Sequence, residues 1–503
     1  MPSIDRNSPK PFYQQVYTQI AEGIESGLYP AGKKLPSIRE CARALSVSNT
    51  TIELAYQKLT ELGYVQARRG SGFTICEIDT TQGKQSERFS PEYLNSLEKL
   101  KQMEECRQHA EVPAYDFAYD TIDRTVFPFT AWARMSREVF FIKGAEKACF
   151  YNDRQGLPEL RKQITSYLNS EYGLNCTHEQ ILVMPTTRDL VSAIACLFPV
   201  AETRFALENP GYDEVAKRLR SLGFEVSPFS VNPFPSWEDA RKELEGASVV
   251  FTTPSCQFPT NRPMPPEFRK ELVEWAQRTG VYIIDDEYGW EFQLGIARTP
   301  SLATFDRTGN VITIGTFSNS FTPAISLSYA VLPPQLMLKW QEEQRDSHSQ
   351  VPWQTQAAMA MFMDEGLWRT HIRKARTTMI RKRQKLIDAV KACFGLEIDV
   401  LSGPTSLFVL LQTHDGRKET ELISAAAAAG VRVYPTSRYW QDCAPDDWRY
   451  VLVGFAGIDE NDIEPGIRAL SRAWGFESSE QEVNGDVLFV RKFARRTDGR
   501  EFV

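Results

Sequence analysis

The sequence lacks the features of a membrane protein and the cysteine motifs of a zinc-binding protein. No apolar run in its 503 residues approaches the roughly 18 residues of a membrane-spanning helix, and the N-terminus MPSIDRNSPK has no hydrophobic signal segment. The nine cysteines are scattered and never spaced C-x-x-C, which favours reduced thiols and argues against the usual zinc motifs. We therefore expect a cytoplasmic protein without a metal site.

The composition is not extreme either, but the charge is unevenly distributed. With 42% apolar and 24% charged residues, the chain has the make-up of an ordinary globular protein. Residues 1–76 hold nine Lys and Arg against six Asp and Glu, whereas the rest of the chain holds 49 against 59. A small basic head on a large acidic body predicts that only the head contacts nucleic acid.

Residues 1–76 have the pattern of three helices followed by a hairpin. Apolar residues recur every four positions from Phe12 to Ile24, Ser37 precedes a second helical segment, and a third helix follows Ser48. The segment YVQARRGSGFTI then alternates apolar and polar residues around two glycines, which predicts a two-stranded wing. This is a winged helix-turn-helix, and it would place residues 48–57 in a major groove of DNA.

The motifs LPSIRE, VSNTTIELAYQKLTELGY and RRGSG resemble the GntR DNA-binding domain. The resemblance implies that Arg68, Arg69 and Gly70 of the wing meet the minor groove. In the helices, the implied contact residues are Arg39, Ser48, Asn49, Thr50 and Thr51. Asn49 stands where relatives often carry Arg, and because Asn pairs with adenine whereas Arg prefers guanine, the operator would differ. In the alternative interpretation, Asn49 only caps its helix and the two wing arginines are solvated charges.

The remainder of the chain divides into three parts. Residues 77–113 are polar and poor in β-formers, which predicts a linker with a charged helix from about 91 to 109. Residues 114–475 alternate helical segments with short apolar strands, and the last of these strands indicate a small C-terminal α+β subdomain. Residues 476–503 form a C-terminal extension with no role that the sequence indicates.

Several segments of residues 114–475 resemble fold-type I pyridoxal-phosphate enzymes and the MocR-type regulators derived from them. The segments are YNDRQGLPELRK, ILVMPTTRDL, RFALENPGYDE, VVFTTPSCQFPTN, VYIIDDEYGWEF and VITIGTFSNSFTPAISLSYA. The resemblance implies an α/β body with a mostly parallel central sheet and flanking helices, preceded by the winged helix-turn-helix and followed by the small subdomain.

The same resemblance implies a degenerate cofactor pocket. Thr186 and Thr187 occupy the turn that would hold the cofactor phosphate, Tyr212 the position that stacks on the pyridine ring, and Asp286 the position at the pyridine nitrogen. The other implied pocket residues are Gln257, Tyr288, Ser318, Asn319 and Ser326. Asp285, Asp286 and Glu287 are all expected to face the pocket. In the alternative interpretation, Thr186 only caps a helix and Asp286 is a capping or salt-bridging relic.

Three cationic anchors of the family are missing together. The Schiff-base lysine position is Asn319, the phosphate arginine position is Ser326, and the arginine that binds a substrate carboxylate is replaced by Leu452. An amide nitrogen cannot form an imine, because its lone pair is delocalised into the carbonyl. Each charge-assisted contact is worth about 1.5 to 3 kcal/mol. We therefore expect no pyridoxal phosphate, although it is the family cofactor.

Three hypotheses on function follow. The favoured one is a sequence-specific transcription regulator whose aminotransferase-like body has lost covalent cofactor binding and serves for dimerisation, with a neutral or amine-bearing effector or none. The second is a regulator that still binds pyridoxal phosphate non-covalently, and the third is an active aminotransferase. The missing lysine argues against the third, because that lysine is also the general base. The resemblance further implies a head-to-tail homodimer on a double-stranded DNA operator.

Overall fold

A computed structural model shows how the chain folds. It describes residues 2, 4–6, 8, 10–68, 72–77, 89–108, 112–142, 144–151, 153–292, 300–403, 407–442 and 444–476. The chain forms two compact units, Met1–Glu111 and Val112–Val503. Among the described helices, none is long and apolar enough to cross a membrane.

The first unit begins with the predicted winged helix-turn-helix. Its elements are α1 (Phe12–Glu25), α2 (Ile38–Leu45), α3 (Asn49–Glu61), β1 (Val65–Arg68) and β2 (Gly72–Ile75). Ser37 starts α2 in a capping box with Glu40, and the apolar faces of the three helices enclose a core that includes the fully buried Ile52 and Leu59. The antiparallel β1 and β2 form the predicted wing.

The predicted linker helix is present as α4 (Pro91–Gln108). Contacts group it with the first unit, which ends at Glu111, whereas the predicted boundary of the head lies at residue 76. Residues 78–88, at the start of the predicted linker, lie outside the described residues. Of the predicted C-terminal extension, only Phe476 is described, and its ring lies 5.2 Å from that of Phe394 in the core of the second unit.

The second unit alternates helices and strands. Its helices are α5 (Phe129–Glu138), α6 (Pro158–Tyr172), α7 (Thr187–Ala195), α8 (Asp213–Ser221), α9 (Trp237–Leu244), α10 (Pro266–Thr279), α11 (Pro334–Glu343), α12 (Trp353–Asp364), α13 (Leu367–Phe394), α14 (Glu419–Ala428) and α15 (Glu460–Ala473). Its strands are β3 (Tyr115–Asp116), β4 (Ile181–Met184), β5 (Arg204–Asn209), β6 (Glu225–Ser230), β7 (Val249–Thr252), β8 (Tyr282–Asp286), β9 (Val311–Thr316), β10 (Ser328–Val331), β11 (Ile398–Leu401), β12 (Phe408–Thr413), β13 (Val431–Arg432), β14 (Tyr434–Pro435) and β15 (Val451–Gly454).

A seven-stranded sheet with the order β4-β10-β9-β8-β7-β5-β6 forms the centre of this unit. β10 runs antiparallel to its neighbours β4 and β9, and the remaining pairs are parallel. Alternate residues of each strand enter opposite faces, so Phe205 and Leu207 pack with α7, α8 and α11, whereas Ala206 packs with α9 and α10. Burying one such large apolar side chain stabilises the fold by about 1.5 to 3 kcal/mol.

The small C-terminal subdomain is built on a second sheet with the order β11-β12-β15-β14, whose strand pairs are all antiparallel. β3 pairs with β13 next to it, which brings the segment around residue 119 to this subdomain. A buried ion pair of 2.8 Å between Lys382 Nζ and Asp123 Oδ2 fixes the same segment against α13. The strand pair and the ion pair together hold the N-terminal segment of the second unit near the carboxyl edge of the central sheet.

Candidate functional site

A cavity of about 460 Å³ lies at the carboxyl edge of the central sheet. β8 ends there at Asp286 and β9 at Thr316, and antiparallel β10 begins opposite Thr316 at Ser328. Side chains at the ends of parallel strands meet at one edge, and open α/β sheets bind ligands at such edges. The topology therefore places the cavity where this fold class binds small molecules.

Seven of the nine predicted pocket residues line this cavity. They are Thr186, Thr187, Tyr212, Asp286, Tyr288, Ser318 and Asn319. Further lining residues, to which the sequence analysis gave no role in the pocket, are Tyr119, Asp120, Arg188, Glu214, Thr253, Phe258, Gly289, Thr316, Ser328, Leu407 and Phe408. Tyr119 and Phe408 lie far from the other residues in sequence, and the strand pairing of the small subdomain brings them to the cavity.

Two predicted pocket residues do not line the cavity, and their placement was wrong. Gln257 is fully buried, and its amide nitrogen donates to the carbonyl oxygens of Pro210 and Phe258, each at 2.6 Å. Its amide therefore serves the packing of the loop and not a ligand. Ser326 is exposed with a φ of 46°, and its short side chain stays outside the cavity.

Asp286 is the buried carboxyl group at the base of the cavity. It is 5% exposed, and its Oδ1 has no hydrogen-bond partner among the described residues. Burial raises the pKa of Asp286 to about 8, and the carboxyl groups of Asp285 and Glu208 act in the same direction. Among the described residues, Asp286 has no ion-pair partner and caps no helix. The interpretation of Asp286 as a capping or salt-bridging relic is therefore wrong.

The expectation that three neighbouring acids face the cavity was also wrong. Asp285 points to the other face of the sheet, where its carboxylate accepts hydrogen bonds from Ser301 Oγ at 2.7 Å and Leu302 N at 3.2 Å. Glu287 likewise does not line the cavity. The positive charge of Arg269 acts on its carboxyl group and opposes the rise in pKa that burial causes. The alternation of side chains along a strand is the physical reason, since only every second residue can face one side.

The turn before α7 has its polar groups committed to its own helix. Thr186 caps α7 by accepting from Asp189 N at 3.1 Å, and its hydroxyl donates to Asp189 Oδ2 at 2.7 Å. The carboxylate of Asp189 thus lies in the first turn, where a helix otherwise attracts an anion. Thr186 therefore caps the helix, as the alternative interpretation expects, and it also lines the cavity.

Asn319 stands on the cavity wall between two loops. Its amide nitrogen donates to the carbonyl oxygen of Tyr288 at 3.3 Å, and the neighbouring Ser318 N donates to Thr316 Oγ1 at 3.1 Å. Among the described residues that line the cavity there is no lysine, and Arg188 at the exposed rim is the one cation. These residues do not fit pyridoxal phosphate held by a Schiff base and an arginine clamp.

In the first unit, the exposed residues at the start of α3 form the candidate DNA-reading surface. Ser48 caps α3 by accepting from Thr51 N at 3.1 Å, and its hydroxyl lies 2.8 Å from that of Thr51. Asn49 is the first helical residue and is exposed, so the interpretation of Asn49 as the cap is wrong. Thr50 and Arg39 are exposed as well.

The predicted wing contacts are described only in part. The backbone of Arg68 ends β1, but its side chain is outside the described part of the structure. Arg69 and Gly70 lie outside the described residues altogether. Their contacts with DNA remain predictions from the resemblance.

Comparison with known proteins matches both units. The family described as "Bacterial regulatory proteins, gntR family" matches residues 12–75, and "Aminotransferase class I and II" matches residues 115–470. The chain is 32% identical to the "Uncharacterized HTH-type transcriptional regulator YhdI" of Bacillus subtilis (strain 168), over 94% of this chain and 98% of that protein. It is 26% identical to the "Probable rhizopine catabolism regulatory protein MocR" of Rhizobium meliloti, over 95% and 96% of the two chains.

The chain belongs to the MocR-type helix-turn-helix transcriptional regulators. The predicted fold class and the predicted role as a DNA-binding regulator are thereby confirmed. The crystal structure of an archaeal alanine:glyoxylate aminotransferase has the same fold, with a TM-score of 0.67 over 75% of this chain and 94% of that chain. At 19% identity, this likeness shows the fold of the regulator's body and not its chemistry.

Proposed function

We propose that this MocR-type regulator holds a small-molecule effector non-covalently in the cavity of its body and is not an aminotransferase. The observation that supports this is Asn319, which occupies the lysine position and lies on the cavity wall. A carboxamide supplies neither an imine-forming amine nor a general base, so both chemical roles of the family's lysine are missing.

The phosphate side of the cavity supports the same conclusion. At the start of α7, the hydroxyl of Thr186 is bonded to the Asp189 carboxylate at 2.7 Å, so an anion arriving there meets a negative charge and not a free donor. Ser326, at the position of the phosphate arginine, is exposed and outside the cavity. Neither the start of α7 nor Ser326 offers a phosphate the bidentate contact that an arginine gives.

The regulator would act on DNA as a homodimer, in which two heads read paired half-sites of an operator. In each head, the N-terminus of α3 presents Asn49 and Thr50 to a groove, and its helix dipole favours a nearby phosphate. Light scattering tests the dimer directly, because the dimer predicts a particle mass of twice that of the chain.

Added pyridoxal phosphate tests the proposed loss of covalent binding. After pyridoxal phosphate that is loosely bound to surface lysines has been removed by gel filtration, the natural protein is expected to give no Schiff-base absorbance. Asn319→Lys places an amine on the cavity wall and is expected to retain such absorbance. Asn319→Gln is the matched control, because it changes the length of the side chain but keeps the amide. Schiff-base absorbance in the natural protein or in the Gln variant would overturn the proposal.

A further inference from the structure

We propose that the cavity selects an organic cation without a phosphate group, namely a protonated amine that carries a flat apolar body. This inference rests on the proposed non-covalent function and names the chemical class of the effector. Three features of the cavity carry it: a buried carboxyl group without a partner, a wall of aromatic rings, and the lack of a buried cation among the described lining residues.

The carboxyl group is that of Asp286. It is 5% exposed and lines the cavity, and its Oδ1 accepts no hydrogen bond from any residue that the structure describes. A buried carboxylate without a donor is costly, so the group keeps its proton in the empty cavity near neutral pH. A bound cation compensates the carboxylate, and the proton of Asp286 then leaves to solvent. An ammonium group offers both a compensating charge and up to three donors at one atom.

The aromatic wall is centred on Phe258. The ring centroids of Tyr119, Tyr212, Tyr288 and Phe408 lie between 5.7 and 6.5 Å from that of Phe258. All five rings line the cavity, and the face of such a ring attracts a cation through its quadrupole, while the rings together offer apolar area. A ligand with an ammonium group and a flat apolar body uses both properties of such a wall.

The charged groups at the rim offer an anionic effector no buried cation. Asp120 and Glu214 line the cavity together with Asp286, and Arg188 is the one cation among the described lining residues. Asp120 and Arg188 are both exposed, so solvent screens their charges, and Lys217 pairs with Glu214 at 3.2 Å. The buried Asp286 therefore sets the charge preference. Asn319 and Ser318, which also line the cavity, offer neutral hydrogen-bonding groups, which suit a ligand with few charges.

Three ligands with the same phenyl group test the charge preference on the full-length protein: 2-phenylethylamine, 2-phenylethanol and 3-phenylpropionate. By calorimetric titration, the amine is expected to bind about tenfold more tightly than the alcohol, and the carboxylate more weakly than both. Equal affinities, tighter binding of the alcohol or the carboxylate, or no binding of any of the three would overturn the inference.

Variants identify the groups responsible. Asp286→Asn is expected to reduce the affinity for the amine by about tenfold and to leave that for the alcohol unchanged. Tyr212→Leu changes a side chain that is 38% exposed, so we expect the variant to fold. It is expected to reduce the difference in affinity between the amine and the alcohol. Asp346→Asn, at an exposed position outside the cavity, is the matched control and is expected to change neither affinity. Equal losses for amine and alcohol in Asp286→Asn would contradict the ion pairing.

The failure of this inference differs from the failure of the proposed function. Non-covalent binding of pyridoxal phosphate that is lost with unphosphorylated pyridoxal would overturn the cation preference but leave the proposed function standing. A covalent adduct with pyridoxal phosphate in the cavity of the natural protein would overturn the proposed function itself.

Discussion

Replacing Asp286 with Asn should make the body more stable, and the gain should grow with pH. Folding raises the pKa of this carboxyl group to about 8, because the group is buried and the negative charges of Asp285 and Glu208 lie nearby. In the unfolded chain the same group releases its proton near its ordinary pKa of about 3.9. Between these two pH values the unfolded state binds fewer protons than the folded state, so stability falls as the pH rises.

The size of the effect follows from the shift. A rise of about four pKa units corresponds to a ceiling of about 5 kcal/mol at pH 8, at 1.36 kcal/mol per unit. Water enters the open cavity and relaxes part of this penalty, so we expect the Asn variant to be about 2 kcal/mol more stable at pH 8. For a domain this large, that corresponds to a rise in Tm of about 2 °C. At pH 4.5 the two proteins should unfold at nearly the same temperature.

Tryptophan fluorescence is the suitable assay, because all ten tryptophans lie beyond residue 111 and report on the second unit alone. Thermal unfolding of the natural protein, Asp286→Asn and the exposed control Asp346→Asn would be followed at pH 4.5, 6 and 8. Two results would refute the buried and unpaired state of the carboxyl group. One is a difference in Tm between the natural protein and Asp286→Asn that stays constant across this pH range, and the other is a lower Tm of Asp286→Asn at pH 8. The control should follow the natural protein throughout.

Further predictions concern the head and the buried ion pair. In an electrophoretic shift assay, Arg39→Ala should weaken binding to all DNA sequences, whereas Asn49→Ala should lose about 1 to 3 kcal/mol on the operator alone; equal losses on operator and unrelated DNA would contradict base reading by Asn49. Ser48→Ala removes the cap of α3 and should destabilise the head by about 1 kcal/mol in circular-dichroism melts, and an unchanged melt would contradict the cap. Lys382→Met leaves the Asp123 carboxylate buried without its cation and should cost the body about 3 to 5 kcal/mol in urea unfolding. Adding Asp123→Asn should recover part of that loss, and no recovery would contradict the pairing.

Local chemistry was predictable where a residue acts on its own segment. Ser37 and Ser48 cap their helices because a hydroxyl before a helical segment meets the free amides of its first turn. The strand that ends in Asp286 was likewise evident from its apolar residues. The alternation along this strand also predicts that Asp285 and Glu287 face away from Asp286, so the expectation that all three acids face the pocket conflicts with the strand pattern itself.

Contacts between distant segments were not predictable in this way. The side chain of Gln257 is buried, and its amide nitrogen donates to Glu208 Oε2 at 3.2 Å and to Pro210 O at 2.6 Å. Both acceptors lie about 50 residues away in sequence. Tyr119 reaches the cavity because β3 pairs with β13, and no local pattern around Tyr119 indicates that pairing. The aromatic wall, which gives the cavity its chemical character, therefore became evident only from the fold.

Reduction with borohydride in the presence of pyridoxal phosphate, followed by peptide mapping, tests the loss of the Schiff base most directly. Borohydride fixes any imine to its lysine, so a covalently bound cofactor leaves a pyridoxyl group on an identifiable peptide. For the natural protein, we predict that no peptide from the cavity carries the group, whereas Asn319→Lys carries it at residue 319. A pyridoxyl-lysine in the cavity of the natural protein would contradict the account.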